Sequence, residues 1–199
     1  MTANSSEQRA LVLASASPRR RELLGVLGVE FSVAPADIDE AVLPGEMPEA
    51  YVRRMALTKA QAGYAAAGDA AVLGSDTAVV IGDRILGKPV DRDDAVAMLT
   101  GLSGRTHRVM SAVALLDGAG CSEALSITDV TFRELTAAEA ARYWATGEPA
   151  DKAGAYGIQG RGAVFVSEIR GSYSGVVGLP LYETALLLEE RGFGPLLKE

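Results

Sequence analysis

Residues able to do chemistry fall into a few short segments, the first being Ser15-Ala16-Ser17-Pro18-Arg19-Arg20-Arg21. A strand ends there. Ser17 stands where a helix N-cap belongs, Pro18 where the first helical residue belongs, and arginines fill the first turn. A helix N-terminus already carries partial positive charge, so each cation there is disfavoured by ~0.3–1 kcal/mol. Placing several at that end breaks a local rule, and such breaks are expected at functional sites. An anion seated on the free N–H groups, beside Arg19 and the hydroxyls of Ser15 and Ser17, turns the repulsion into attraction. The plainer alternative is a solvated basic helix end.

A second segment is Leu73-Gly74-Ser75-Asp76-Thr77. Aspartate is depleted inside strands, and an apolar setting makes it costly unless a metal, a lysine or a bound water compensates it. A turn aspartate bonded to the backbone is the alternative. Lys59 and Lys88 form a third pair. Lys59 lies mid-helix, near the buried side by its spacing with Val52, Met55, Ala56, Ala60 and Gly63; such a lysine usually lays its stem on apolar surface and keeps its head in water. Lys88 is held between Gly87 and Pro89 in a rigid, exposed turn. The acidic loop Asp37-Ile38-Asp39-Glu40 offers a second carboxylate for a hard cation. Magnesium typically takes one or two carboxylates and leaves the rest to water and phosphate oxygens.

The last segment is Asp151-Lys152-Ala153-Gly154-Ala155-Tyr156-Gly157-Ile158-Gln159-Gly160. Its glycines would let a backbone approach a flat ligand, or would serve turns alone. The planar amide of Gln159 presents one donor and one acceptor edge, which fits the O4/N3–H edge of uracil or thymine.

Other signals carry less. Residues 82–88 mimic phosphate-loop spacing, but Pro89 follows in place of a hydroxyl residue and supplies no N–H. His107 is the only histidine and lacks a nucleophile-elbow partner, so a structural role is expected. Cys121 is alone, which excludes an intramolecular disulfide and a cysteine-based zinc site and favours a reducing cytoplasm. Trp144 reads as core packing.

The elements that position these segments alternate. Strands are expected at residues 10–15, 30–34, 71–81, 84–86, 106–116, 126–133 and 164–169, and helices at 18–27, 48–67, 91–102, 136–147 and 180–191. Interleaving of this kind defines an α/β protein, and the short link between residues 116 and 126 adds an antiparallel segment, hence a mixed sheet. The chain has 199 residues, 48% of them hydrophobic, which suits one domain of two lobes over residues 10–199 behind a flexible tail at 1–9. Acids outnumber bases 26 to 19, a net charge of −7 that disfavours binding to polymeric nucleic acid. No uncharged run is long enough to span a bilayer.

Taken together, SASPRR at 15–20, GSDTAVV at 74–80, GKP at 87–89, SGRTHRV at 103–109, DKAGAYGIQG at 151–160 and GSYSGVVGLP at 171–180 resemble the Maf family of nucleoside triphosphate pyrophosphatases, in family order. The resemblance implies an inosine-triphosphatase-like fold: an elongated mixed sheet, flanking helices and a cleft between two lobes. It implies cleavage of a nucleoside triphosphate between the α- and β-phosphates with a divalent cation, Mg²⁺ or Mn²⁺; by their chemistry Asp76 and Glu40 are the expected ligands, with Asp76 serving as base, metal ligand or both. The DKAGAYGIQG form is similar to the branch acting on dTTP and UTP. By this resemblance Asp76 is the general base. Ser15, Ser17, Arg19, Glu40, Lys59 and Lys88 handle phosphate, and Arg19, Thr77 and Gln159 set specificity. Members are cytoplasmic and often homodimeric. Two departures are visible: Ser111 where many members carry Thr, and Gly175 where Asn is common. The competing readings are a non-catalytic nucleotide sensor in cell division, and the same enzyme acting on another base such as 7-methyl-GTP.

Overall fold

Three long strands form the frame: β3 (Ala71–Ile81), β5 (Thr106–Asp117) and β6 (Gly120–Phe132). The computed structural model describes residues 9–194. Runs of β-branched and apolar residues favour these strands, which pair antiparallel along nearly their whole length. β7 (Val166–Arg170) adds to β6. On the opposite edge of β3, β1 (Leu11–Leu13) lies parallel, with β2 (Ser32–Val33) outside it. The short β4 (Arg84–Leu86) returns antiparallel on β3. The sheet is therefore mixed and elongated, as expected.

The pairing leaves one gap. β5 occupies one edge of β3 throughout, while β1 meets only residues 71–73 of the other edge and β4 only residues 79–81. Residues 74–78 have no strand on that side. The chain leaving β1 and the chain leaving β4 run toward this gap from its two ends, because β1 is parallel and β4 antiparallel to β3.

Side chains alternate across a strand, so odd and even positions of β3 face different helices. On the odd face, Leu11, Leu13, Leu73, Val113 and Leu115 pack with Leu24 of α1 (Pro18–Val26) and Leu187 and Leu188 of α6 (Leu181–Glu190). Farther along that face Val79, Val109, Val130 and Phe132 pack with α3 (Arg92–Leu102) and α4 (Ala137–Trp144). Ser75 and Thr77 fall between these two apolar clusters. The even face is covered by the twenty-residue α2 (Pro48–Ala67), which packs on Ala78, Val80, Met110 and Ala112.

The structure corrects several expected boundaries. β6 begins at Gly120, not 126, because the turn after β5 is only Gly118-Ala119, with the Asp117 carboxylate accepting from the Ala119 N–H at 2.8 Å. A short helix, α5 (Tyr173–Val177), stands where none was expected, capped by the Ser172 hydroxyl, which accepts from Gly175 N–H at 3.0 Å. The strand expected from 164 starts at Val166, after a 3₁₀ turn at Arg161–Phe165. Residues 1–8 of the expected tail lie outside the described residues, and Arg9 pairs with the buried Asp117 carboxylate at 2.8 Å. Among the described residues no helix is long and apolar enough to cross a membrane.

Candidate active site

The site begins with a glycine. A Cβ on Gly74 would lie 2.1 Å from the Ala56 carbonyl oxygen and 2.6 Å from the Ala60 nitrogen, so only glycine lets α2 rest its backbone directly on β3. Lys59 belongs to that same turn of α2. Two residues beyond Gly74, on the same face of β3, stands Asp76. The Lys59 Nζ donates to Asp76 Oδ1 at 2.7 Å and pairs with Glu40 Oε1 at 2.6 Å. Lys59 is 7% exposed and Asp76 6%, so the lysine head does not reach for water as its helical spacing alone suggested; it is buried between two carboxylates.

Glu40 comes from a loop without regular structure, and α2 holds that loop in place. The Arg54 guanidinium takes both oxygens of Glu46, at 2.5 and 2.6 Å, and donates to the Ala41 carbonyl at 3.0 Å. The Tyr51 hydroxyl donates to the Glu40 carbonyl at 3.1 Å. Burial works against ionisation of Glu40, but the Lys59 hydrogen bond and the charges of Lys59, Lys88 and Arg20 hold its carboxyl below the usual range. Burial, with the negative charges of Asp76 and Glu40, pushes the Tyr51 phenol up to about 12.

The other wall is built on the odd face. Ser17 caps α1 as expected, its Oγ accepting from Arg20 N–H at 3.5 Å. Ser15 Oγ accepts from Ser17 N–H at 3.2 Å and from Arg20 Nη1 at 3.3 Å. Arg20 also donates through Nη2 to Thr77 Oγ1 at 3.4 Å and through Nε to the Gly178 carbonyl at 2.9 Å. Thr77 and Ser111 hydroxyls meet at 2.8 Å, and Ser111 Oγ donates to the Gly175 carbonyl at 2.6 Å. The two departures from the family pattern, Ser111 and Gly175, thus touch each other.

Arg20 is the residue that the sequence reading passed over in favour of Arg19. Arg19 lies 3.5 Å from the exposed Asp151 carboxylate. Arg20 shares a helix face with Leu24 and Leu27, both buried, and that 20-24-27 spacing was the available signal. Among the described residues no carboxylate lies within ion-pair distance of Arg20. Burial lowers its pKa, and the charges of Asp76 and Glu40 oppose that shift.

Lys88 is exposed just after β4, and its charge acts on Glu40. The Gly87 carbonyl beside it accepts from Gly154 N–H at 3.0 Å, tying the 151–160 segment to the end of β4. Gln159 is exposed and makes no hydrogen bond among the described residues. The floor is the bare edge of β3. Ala14 N–H donates to the Leu73 carbonyl and Ala71 N–H to the Ala10 carbonyl, so odd-numbered residues turn their backbone groups away from β5; Ser75 and Thr77 therefore aim theirs into the gap.

Among the described residues no cluster of three or more acidic, histidine or cysteine side chains could hold a metal. Asp76 and Glu40, brought together on one ammonium, are a two-carboxylate donor set, which fits a hard cation that takes its other ligands from water and phosphate. His107 is structural, as expected: its Nε2 meets the Tyr156 hydroxyl at 2.8 Å, its ring stands edge-on to Phe132, and burial pushes its pKa down to about 4.

These features define a mixed α/β protein whose sheet is interrupted by a polar, cation-lined gap. The chain belongs to the Maf family: the family described as Maf-like protein matches residues 10–191. It is 57% identical over 188 residues to a dTTP/UTP pyrophosphatase of Hahella chejuensis, covering 93% of this chain and 94% of that one. Proteins of the same name from Pseudoalteromonas atlantica (57% over 182 residues, 89% and 95%) and Aromatoleum aromaticum (54% over 200 residues, 94% and 97%) are also similar. Among solved structures, a nucleoside-triphosphatase/dITP/XTP pyrophosphatase from Mycobacterium abscessus matches with TM-score 0.45 and 17% identity, over 92% of this chain and 95% of that one.

Proposed function

We propose that this protein hydrolyses dTTP and UTP to the nucleoside monophosphate and pyrophosphate. One observation carries the reading: Lys59 joins Asp76 and Glu40 at 2.7 and 2.6 Å beside a gap ringed by Arg20, Lys88 and the N-terminus of α1. Relatives at 54–57% identity bear the matching name.

The triphosphate lies along the gap, with Ser15, Ser17 and Arg19 at the start of α1 receiving it. Water attacks the α-phosphorus in line. Its proton passes to Asp76, and the bond from the α-phosphorus to the α,β-bridging oxygen breaks, releasing pyrophosphate. Lys59 and Lys88 offset the charge gathering on the phosphoryl oxygens. Asp76 and Glu40 would hold Mg²⁺ or Mn²⁺, which when bound supplies Lewis-acid polarisation and a more acidic water. Thr77 and Arg19 bound the base end, and the Gln159 amide reads the O4/N3–H edge. The workplace on this reading is the cytoplasm.

Pyrophosphate release from UTP, dTTP, CTP and 7-methyl-GTP, with and without EDTA, tests the reading. UTP and dTTP should turn over and EDTA should stop them. Binding of UTP without pyrophosphate release would replace the enzyme with a sensor, and preference for 7-methyl-GTP would overturn the base assignment.

A further inference from the structure

Gln159 sits in a segment with almost no regular structure, between 3₁₀ turns at Ala153–Ala155 and Arg161–Phe165. An amide that reads a base must nevertheless be held in one orientation. The anchor comes from the end of α4 and the turn that follows it. The Glu148 carboxylate accepts from Arg161 N–H at 2.9 Å, from Gly162 N–H at 3.1 Å and from the Tyr143 hydroxyl at 2.7 Å. Tyr143 Oη in turn accepts from Gly157 N–H at 3.0 Å. One carboxylate and one phenol thus grip the backbone on both sides of Gln159.

The glycines of this stretch serve the grip. A Cβ on Gly160 would lie 2.5 Å from the Glu148 carboxyl carbon, and one on Gly162 would lie 2.6 Å from Tyr143 Oη. The side chains they would displace are themselves pinned. Tyr143 is buried at the end of α4, with its ring edge-on to Phe165 at a centroid distance of 5.0 Å. Burial opposes ionisation of Glu148, but the hydrogen bonds from Tyr143, Arg161 and Gly162 outweigh it and hold its carboxyl below the usual range. A charged acceptor is what the arrangement needs, since all three of its partners donate.

We propose that Glu148, with Tyr143, is a positioning pair that holds residues 157–162 in the arrangement presenting the Gln159 amide to the base, so that Glu148 governs base selectivity without touching substrate. The proposal rests on the reading of Gln159 given above.

Glu148→Gln keeps the size of the side chain but sets an amide NH₂ against backbone donors. Steady-state pyrophosphate release with UTP and CTP is the assay, and Gln159→Ala is the reference. Glu148→Gln should raise KM for UTP by about tenfold or more, the equivalent of one lost charge-assisted hydrogen bond. It should lower the UTP-to-CTP ratio of kcat/KM in parallel with Gln159→Ala, and leave kcat for UTP within about threefold. A general weakening of the fold would instead lower the melting temperature and treat both bases alike. Tyr143→Phe removes the phenol and keeps the ring; it should move the same two readouts by a smaller factor, and it decides alone if Glu148→Gln does not fold. An unchanged ratio in these variants, while Gln159→Ala loses it, overturns the positioning role and leaves the base reading standing. An unchanged ratio in Gln159→Ala overturns the base reading, and the positioning role falls with it.

Discussion

Gly74→Ala should damage the site through the backbone. The added methyl would land 2.1 Å from the Ala56 carbonyl oxygen. A carbon normally stays about 3.3 Å from such an oxygen, so α2 must withdraw by roughly 1.2 Å. Lys59 rides on that turn. It cannot follow Asp76 without giving up Glu40, because it holds both, at 2.7 and 2.6 Å. Overpacking of this kind costs about 1–3 kcal/mol, or about 2–12 °C in Tm for a chain of this size. A displacement near 1 Å among reacting groups costs on the order of 10²-fold in rate. Thermal melting and kcat for UTP measure the two effects on one preparation. Gly25→Ala is the matched control. Gly25 lies in α1 with nothing within 4 Å of its would-be Cβ, so the same methyl there should stabilise by about 0.5–1 kcal/mol. If Gly74→Ala melts within a degree of the parent and keeps kcat within twofold, the account of how α2 positions Lys59 is wrong.

Other expectations concern single side chains. Asp76→Asn should fold and lose at least ~10²-fold in kcat, the low end of a general-base contribution; near-normal pyrophosphate release would remove Asp76 from that role. Arg20→Met should raise KM for UTP by about tenfold or more, because it deletes a half-buried cation with no carboxylate partner of its own; an unchanged KM would make Arg20 a purely structural tie to Gly178. His107 is held near 4 against an ordinary 6.5. As pH falls below 6.5 the unfolded chain takes up a proton that the folded chain refuses until about 4, so stability is lost across that window, by up to about 3 kcal/mol. His107→Phe should flatten this part of the urea-midpoint profile, and an identical slope in the variant would contradict the assignment.

Much of this was legible because local chemistry and fold agree. Ser17-Pro18 marks the start of α1, and the capping box at Thr136 and Glu139 starts α4 within a residue of expectation. The apolar run broken by Asp76 is one continuous strand, and its lone carboxylate is compensated by a lysine, one of the partners foreseen. What escaped depends on contacts between distant segments. The first half of β6 reads as loop because Cys121, Ser122 and Glu123 lack an apolar alternation; pairing with β5 imposes the strand. Arg20 was masked by its neighbours of identical chemistry, and only the helical face shared with Leu24 and Leu27 separates it from Arg19. Glu148 and Tyr143 carry no motif signal, because what they hold is backbone. The glycine at 160 reads as an opening for a ligand or as a turn, yet it makes room for the Glu148 carboxylate.

The bare edge of β3 has a consequence for solubility. An unpaired strand edge invites another chain to dock and continue the sheet, the first step of aggregation. Here the unsatisfied length is bracketed by β1 and β4 and offers the inward-turned groups of only Ser75 and Thr77. A foreign strand finds too few rungs to climb, and must bring its own backbone past Arg20 and Lys88. The molecule can therefore leave a short length of strand edge without a neighbour in the sheet while refusing a polymer of itself.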